Sequence, residues 1–98
     1  MTDTGTPTDL ETRRRRIRFR AWHRGIKEND LILGSFADAH IDDLSEADLD
    51  AFDELMEAPD QDVYSWISQT KPVPDQYVTN LMTRLQSHTV PARTRLER

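Results

Sequence analysis

Apolar residues recur at helical spacing in five separate stretches of the chain. The clearest stripe is formed by Val78, Leu81, Met82 and Leu85, which stand at positions i, i+3, i+4 and i+7. In the other four stretches, the residues predicted to face inward are Ile17 and Ala21 with Phe19 and Trp22; Leu31, Leu33, Phe36, Ala37 and Ile41; Leu49, Phe52, Leu55 and Met56; Val63, Trp66 and Ile67. No segment alternates with period two for long enough to make a strand. The pattern predicts an all-α fold, a compact bundle of about five short helices.

Helix ends can be assigned from the residues between the stripes. Gly25 is predicted to end the first helix in the left-handed conformation, which glycine adopts without steric cost. Ser45 has the chemistry of an N-cap, with Asp48 three residues later in the position of a capping-box partner. After a proline, Asp60 or Asp62 is predicted to cap the fourth helix.

The chain of 98 residues is short enough for one domain. Residues 1–10 carry no periodic apolar pattern and are predicted to be a disordered tail. Residues 11–87 contain all five stripes and form the predicted helical domain. The pattern fades after Ser87, so residues 88–98 are predicted to be a flexible tail.

Charge is divided sharply along the chain. The net charge is -5, yet residues 11–28 hold eight basic and two acidic side chains. Residues 29–64 hold twelve acidic side chains and no Lys or Arg. An asymmetry of this kind bears on partners and association more than on fold.

Several classes of chemistry lack their residues. The chain has no cysteine, which excludes disulfides and thiolate metal sites, and His23, His40 and His88 lack a metal-ligand spacing. The acidic band after residue 41 does not follow a calcium-loop pattern and is predicted to be a solvated face. No Gly-rich phosphate loop is present. We therefore predict a protein that is not an enzyme, with no catalytic residue and no metal site.

The sequence also bears on membranes and compartment. No apolar run approaches the roughly 18 residues of a membrane span, so no membrane insertion is expected. The N-terminal stretch MTDTGTPTDLET is acidic and polar, unlike a secretory signal or a basic organelle-targeting segment. These features predict a cytoplasmic protein.

The Arg-rich run RRRRIRFR, residues 13–20, supports an alternative function. Such a run neutralises phosphates, and the aromatic residues Phe19 and Trp22 lie within or beside it. The acidic block that follows would repel a nucleic-acid backbone, and no helix-turn-helix pattern is evident. Nucleic-acid binding therefore remains the weaker interpretation, and no nucleic-acid partner is expected.

The segment HRGIKEND, residues 23–30, admits two interpretations. In the first, Gly25 caps one helix and Glu28 lies in the first turn of the next. In the second, Arg24, Gly25 and Glu28 form a corner aimed at a partner, where glycine permits close approach and arginine offers a planar set of donors. Composition and spacing do not choose between them.

The motifs of this chain resemble those of SdhE-like succinate dehydrogenase assembly factors. The family signature Arg-Gly-x-x-Glu stands here as RGIKE, and the apolar helix that follows it stands as NDLILGSF. The stretch LSEADLDAFDELMEAPDQDVYSWISQTKPVP resembles the third and fourth helices of the family, including the Lys-Pro-x-Pro exit. The likeness runs from about residue 13 to residue 86. Ile26 and Ile32 depart mildly from the pattern.

The resemblance implies a five-helix bundle that acts as a chaperone-like factor. Its partner would be the flavoprotein subunit of succinate dehydrogenase, and in some organisms that of fumarate reductase. It would promote covalent attachment of FAD to a histidine of that subunit while binding no cofactor stably itself. A monomer is expected. Some family members carry an antitoxin label, which would make the alternative a regulatory binding module that uses the Arg-rich helix.

The resemblance also assigns a partner-binding site to Arg24, Gly25, Glu28 and Asp30. Gly25 would let the corner reach the FAD entrance of the flavoprotein without a side chain in the way. Arg24 and Glu28 would contact polar groups around that entrance. On this view Gly25→Arg abolishes function and leaves the helical circular dichroism largely intact, while Trp66 belongs to the core.

Overall fold

Five α-helices and two short 3-10 turns make up the part of the chain that the computed structural model describes, residues 7–90. The helices are α1 Pro7–Trp22, α2 Lys27–His40, α3 Glu46–Met56, α4 Asp60–Ile67 and α5 Asn80–Ser87. The 3-10 turns are Ile41–Asp43, after α2, and Asp75–Tyr77, before α5. Residues 7–90 contain no strand, and the all-α prediction is confirmed. No helix among them is long and apolar enough to cross a membrane.

Helix α1 begins four residues before the predicted domain boundary at Glu11. Proline is favoured in the first helical turn because its missing N–H has no intrahelical partner there, and Asp9 places negative charge in that turn. Leu10 is partly buried against the core, so the added turn also contributes packing. Residues 1–6 of the predicted N-terminal tail and residues 91–98 of the C-terminal tail lie outside the described range.

One core is shared by all five helices. Its largest buried side chains are Ile17 from α1, Leu33 and Phe36 from α2, Leu49, Phe52 and Leu55 from α3, Val63 from α4, and Leu81 and Leu85 from α5. Trp66 is buried, as predicted. Two inward predictions are wrong: Phe19 lies on the outer face of α1, and Val78 precedes α5 and is exposed.

Trp22 of α1 packs directly on Gly34 of α2. A Cβ atom on Gly34 would overlap the indole ring, so the missing side chain is what lets the ring lie against α2. The Trp22 Nε1–H donates to Asp38 Oδ1 at 3.2 Å, and Arg18 Nε donates to the same oxygen at 2.8 Å. These contacts join the end of α1 to α2 beside the corner that follows.

Two of the helix starts have side-chain caps. Ser45 Oγ accepts from the Asp48 N–H at 3.1 Å, which confirms the predicted cap of α3, and Thr79 Oγ1 caps α5 in the same way. The cap predicted for α4 is wrong. Pro59 occupies the N-cap position of α4 without a side-chain bond, and the carboxylate of Asp60 is engaged elsewhere.

The chain remains packed on the bundle beyond Ser87. His88 Nε2 lies 2.8 Å from Ser35 Oγ, and the imidazole ring meets the Phe36 ring edge-on with centroids 5.4 Å apart. The predicted flexible tail therefore begins too early at residue 88. The hydrophobic pattern missed this residue because an imidazole packing on an aromatic ring adds no apolar periodicity.

Candidate functional site

The corner between α1 and α2, residues 23–26, is held to the rest of the bundle by the side chain of Arg24. Its Nε donates to Asp60 Oδ1 at 2.7 Å, its Nη1 to the Met56 carbonyl at 2.7 Å and its Nη2 to the Ala58 carbonyl at 2.9 Å. The two carbonyls belong to the end of α3 and the link to α4, where helix geometry leaves carbonyl groups without intrahelical donors. Only 10% of the Arg24 side chain is exposed. Its guanidinium thus joins the corner to the α3–α4 link.

Asp60 completes this connection, which we call the Arg24–Asp60 latch. Its second oxygen, Oδ2, accepts the Gly25 N–H at 2.9 Å, and its main-chain carbonyl accepts from Asn29 Nδ2 at 2.9 Å. Burial is the largest single influence on this carboxyl group, and by itself it would raise the pKa of Asp60. The hydrogen bonds from Gly25 and Arg24, together with the Arg24 charge, outweigh burial, so the pKa of Asp60 lies below its usual value.

The structure requires glycine at position 25 for a reason other than the predicted left-handed helix cap. The φ of Gly25 does not lie in the left-handed region, so it is not a left-handed cap. A Cβ atom at this position would stand 2.7 Å from Asp60 Oδ2, which is too close for the carboxylate to stay in place. The absent side chain therefore makes room first for an internal carboxylate. The Gly25 residue itself is exposed.

Asp30 faces back toward the corner from the first turn of α2. Its Oδ1 accepts the Arg24 main-chain N–H at 2.6 Å, which satisfies a donor that the turn leaves without a helical partner. Burial raises the pKa of Asp30, and the hydrogen bond from Arg24 offsets this only in part. Asp30 therefore stabilises the corner through a hydrogen bond within the bundle.

Glu28 is the predicted site residue whose side chain points away from the bundle. It lies in the first turn of α2 beside Lys27, and both are exposed. The structure thus brings Arg24, Gly25 and Asp30 into one hydrogen-bonded corner and leaves Glu28 on its outer surface. The partner-binding role of these four residues stays a prediction.

Sequence reasoning missed two residues of this site. Asp60 was assigned to helix capping, and its partner Arg24 is 36 positions away, a distance over which no periodicity argument reaches. Asn29 is fully buried, and its Oδ1 has no hydrogen-bond partner among the described residues. The only indication of Asn29 in the sequence is that a polar residue stands on the buried side of an amphipathic helix.

Most cations of the Arg-rich run are used within the bundle. Arg13 pairs with Asp50 and Asp53, Arg18 with Asp38, and Arg20 with Glu57. Arg14 donates to the main-chain carbonyls of Ile41 and Leu44. The run therefore offers phosphates far fewer free charges than its sequence suggests. Within residues 9–90, no group of three or more His, Asp or Glu side chains could hold a metal ion.

Comparison with known proteins agrees with the motifs. A family model described as flavinator of succinate dehydrogenase matches residues 15–89. Succinate dehydrogenase assembly factor 2-B, mitochondrial, of Drosophila persimilis is 40% identical over 81 residues, which cover 81% of this chain and 52% of that protein. Succinate dehydrogenase assembly factor 2, mitochondrial, of Dictyostelium discoideum is 35% identical, covering 83% of this chain and 57% of that protein.

A yeast relative extends the same likeness. Succinate dehydrogenase assembly factor 2, mitochondrial, of Meyerozyma guilliermondii is 40% identical over 70 residues, which cover 68% of this chain and 52% of that protein. The chain thus spans about half the length of the curated relatives it matches. The family match includes all of α2–α5, the corner and the latch. On these grounds the chain belongs to the family described as flavinators of succinate dehydrogenase, whose named relatives are succinate dehydrogenase assembly factors.

Proposed function

We propose that this chain binds the flavoprotein subunit of succinate dehydrogenase and promotes covalent attachment of FAD to a histidine of that subunit. Membership of the flavinator family supports the assignment to succinate dehydrogenase assembly. The observation that carries the proposal to a site is the latched corner, in which the family signature RGIKE is fixed from inside by Asp60. The partner surface would be the exposed backbone of Gly25 together with the Glu28 carboxylate.

A rigid corner suits a factor that contributes no chemistry of its own. The bond-forming step would use a histidine and a flavin that both belong to the flavoprotein. A factor that holds the flavoprotein in one geometry can accelerate such a step by orientation alone, because positioning of reacting groups removes a large entropic barrier. The Glu28 carboxylate would add a negative charge at the contact. No cofactor needs to be bound stably by this chain.

The buried position of Arg24 changes how its role is understood. Its three donor atoms are engaged with Asp60, Met56 and Ala58, so its guanidinium supports the corner and does not reach outward. The variant Gly25→Arg would displace the Asp60 carboxylate as well as obstruct a partner. Loss of function in that variant therefore cannot separate the two effects, and a substitution outside the latch is needed.

Glu28→Gln is that substitution, because the side chain is exposed and makes no contact with the latch. Glu46→Gln is its matched control: Glu46 is also an exposed glutamate in the first turn of a helix, but at the start of α3. The measurement is covalent flavin in the flavoprotein subunit, read as fluorescence in a denaturing gel. We expect a strong band with wild type and Glu46→Gln, and a weak band with Glu28→Gln. A band of equal strength without this protein would overturn the proposal.

Partner range, oligomeric state and compartment are tested separately. The same assay with the fumarate reductase flavoprotein asks whether that subunit is also served. The monomeric state stays a prediction. The cytoplasmic compartment also stays a prediction, because the relatives are named as mitochondrial proteins. Sedimentation of the free protein and fractionation of the source cells are the direct measurements.

A further inference from the structure

An aromatic ring lies in solvent on the outer face of α1. Phe19 is 64% exposed, whereas Ile17 and Ala21 of the same helix are fully buried in the core. Its ring rests on the imidazole of His23 with centroids 4.2 Å apart. This contact holds the ring in one orientation but removes little of it from water. The fold therefore gives Phe19 no packing role.

Two arginines one turn before this ring have no partners among residues 9–90. Arg15 and Arg16 are exposed, and neither has an ion pair or hydrogen bond there, in contrast to the paired Arg13, Arg18 and Arg20. Arg15 precedes Phe19 by four positions and Arg16 by three, which puts all three on one side of the helix. Together with His23 they form what we call the Phe19 face: Arg15, Arg16, Phe19 and His23.

The composition of the Phe19 face is that of an interface. Aromatic residues and arginine are enriched where proteins bind one another, and a single buried aromatic anchor often dominates the affinity. An isolated exposed ring needs no explanation. Here the ring lies on the same side of α1 as two arginines without an ion pair among residues 9–90, whereas Arg18 and Arg20 are paired with Asp38, Asp53 and Glu57. A partner that supplied carboxylates there would gain charge-assisted contacts that no side chain of residues 9–90 makes with Arg15 or Arg16.

The Phe19 face is continuous with the corner. His23 directly precedes Arg24, so a partner seated on Gly25 and Glu28 would meet the last turn of α1 next. We infer that the Phe19 face is a second docking surface for the flavoprotein, which would offer an apolar recess for the ring rimmed by carboxylates for the two arginines. This inference rests on the proposed function for the identity of the partner. The chemistry of the surface follows from α1 itself.

The test is the dissociation constant of the full chain with the purified flavoprotein subunit, measured by calorimetry. Phe19→Ala is compared with Val78→Ala, because Val78 is 65% exposed and supplies a matched loss of exposed apolar surface. We expect at least a tenfold weakening for Phe19→Ala and no change for Val78→Ala. Both variants should keep the wild-type melting temperature, since neither side chain belongs to the core.

The charge contribution is tested by Arg16→Glu against Lys71→Glu, a reversal at an exposed lysine in the loop after α4. Measured at two salt concentrations, Arg16→Glu should bind more weakly and lose part of the salt dependence that wild type shows. Lys71→Glu should follow wild type at both concentrations.

The outcomes separate this inference from the proposed function. If Glu28→Gln weakens binding and Phe19→Ala does not, the corner is the whole interface and the second surface is refuted. If wild type does not bind the flavoprotein, the proposed function fails, and the inference fails with it. If Phe19→Ala instead abolishes self-association or binding to a single-stranded oligonucleotide while flavoprotein binding is unchanged, the occupant is a second copy or a nucleic acid, and the inference is wrong.

Discussion

The carboxylate of Asp60 occupies the space that a side chain at residue 25 would need. Asp60 Oδ2 accepts the Gly25 N–H at 2.9 Å and lies 2.7 Å from the position of a Cβ atom there. The glycine of the family signature is thus required by the bundle itself, before any partner is considered. The Arg24–Asp60 latch and the glycine form one unit, and substitutions in one member should be felt by the others.

Asp60→Asn should destabilise the bundle. The amide keeps the size of the carboxylate but loses the charge that neutralises the largely buried Arg24 guanidinium, and one of its two polar atoms becomes a donor. Hydrogen bonds to charged groups contribute roughly 1.5–3 kcal/mol, and we expect a loss of free energy of unfolding in that range. Urea denaturation measures it. Asp62→Asn, two residues along α4, is the control and should change stability little, because Asp62 makes no contact with the latch.

The contact between Trp22 and Gly34 makes a second stability prediction. In Gly34→Ala, the new methyl group meets the indole ring and forces α1 and α2 apart, at a cost of about 1–3 kcal/mol. In a Trp22→Ala background, the same change should be neutral or stabilising by up to about 1 kcal/mol, because alanine is the better helix former. Thermal unfolding of the four proteins gives the coupling energy. Additive effects would show that the ring does not limit the helix spacing.

The sequence predicts those parts of the fold that depend on the helical spacing of apolar residues and on the capping residues at helix ends. The stripe Leu81, Met82 and Leu85 and the cap at Ser45 lie where expected, because each depends on residues within one or two turns. Phe19 was misassigned for the converse reason: a large apolar residue beside a helical stripe is usually buried, and only tertiary packing shows that this one is not.

The site likewise has a part that the sequence predicts and a part that it does not. The signature residues Arg24, Gly25 and Glu28 could be found from local order, and the family match includes them. Their geometry could not, because Asp60 reaches the corner from a helix 36 positions away in the chain. A sequence offers no means of deciding whether an arginine faces a partner or the end of a neighbouring helix.

The pH dependence of stability should report the packing of His88. Burial, followed by repulsion from His40, lowers the pKa of His88 below its ordinary value of 6.5. The groups in contact with this ring are Ser35, Phe36 and His40 from α2, and the guanidinium of Arg84 from α5 lies over the Phe36 ring. None of them carries negative charge. The fold therefore favours the neutral imidazole.

The sign follows from proton uptake. Below pH 6.5 the unfolded chain protonates His88 more readily than the folded state does, so stability present above 6.5 is lost as the pH falls through the lowered pKa. We expect urea midpoints to fall between pH 7.5 and pH 5, and to fall less in His88→Gln. Equal slopes in His88→Gln and wild type would contradict the assignment.

The last prediction separates the two reasons for glycine at position 25. Gly25→Ala should displace the Asp60 carboxylate, weaken the latch and reduce both stability and covalent flavin in the partner. In an Asp60→Ala background the carboxylate is gone, so adding Gly25→Ala should cost no further stability. Urea denaturation of wild type, both single variants and the double variant measures this coupling.

The same four proteins then address the partner. If the flavoprotein approaches the Gly25 backbone closely, covalent flavin should fall further in the double variant than in Asp60→Ala alone, even though the bundle is no less stable. If the two give equal flavin, the glycine serves only the Asp60 carboxylate, and the close-approach role predicted for Gly25 is wrong. Glu28→Gln, which leaves the latch intact, should lower flavin in either case, because its carboxylate is the part of the signature that faces outward.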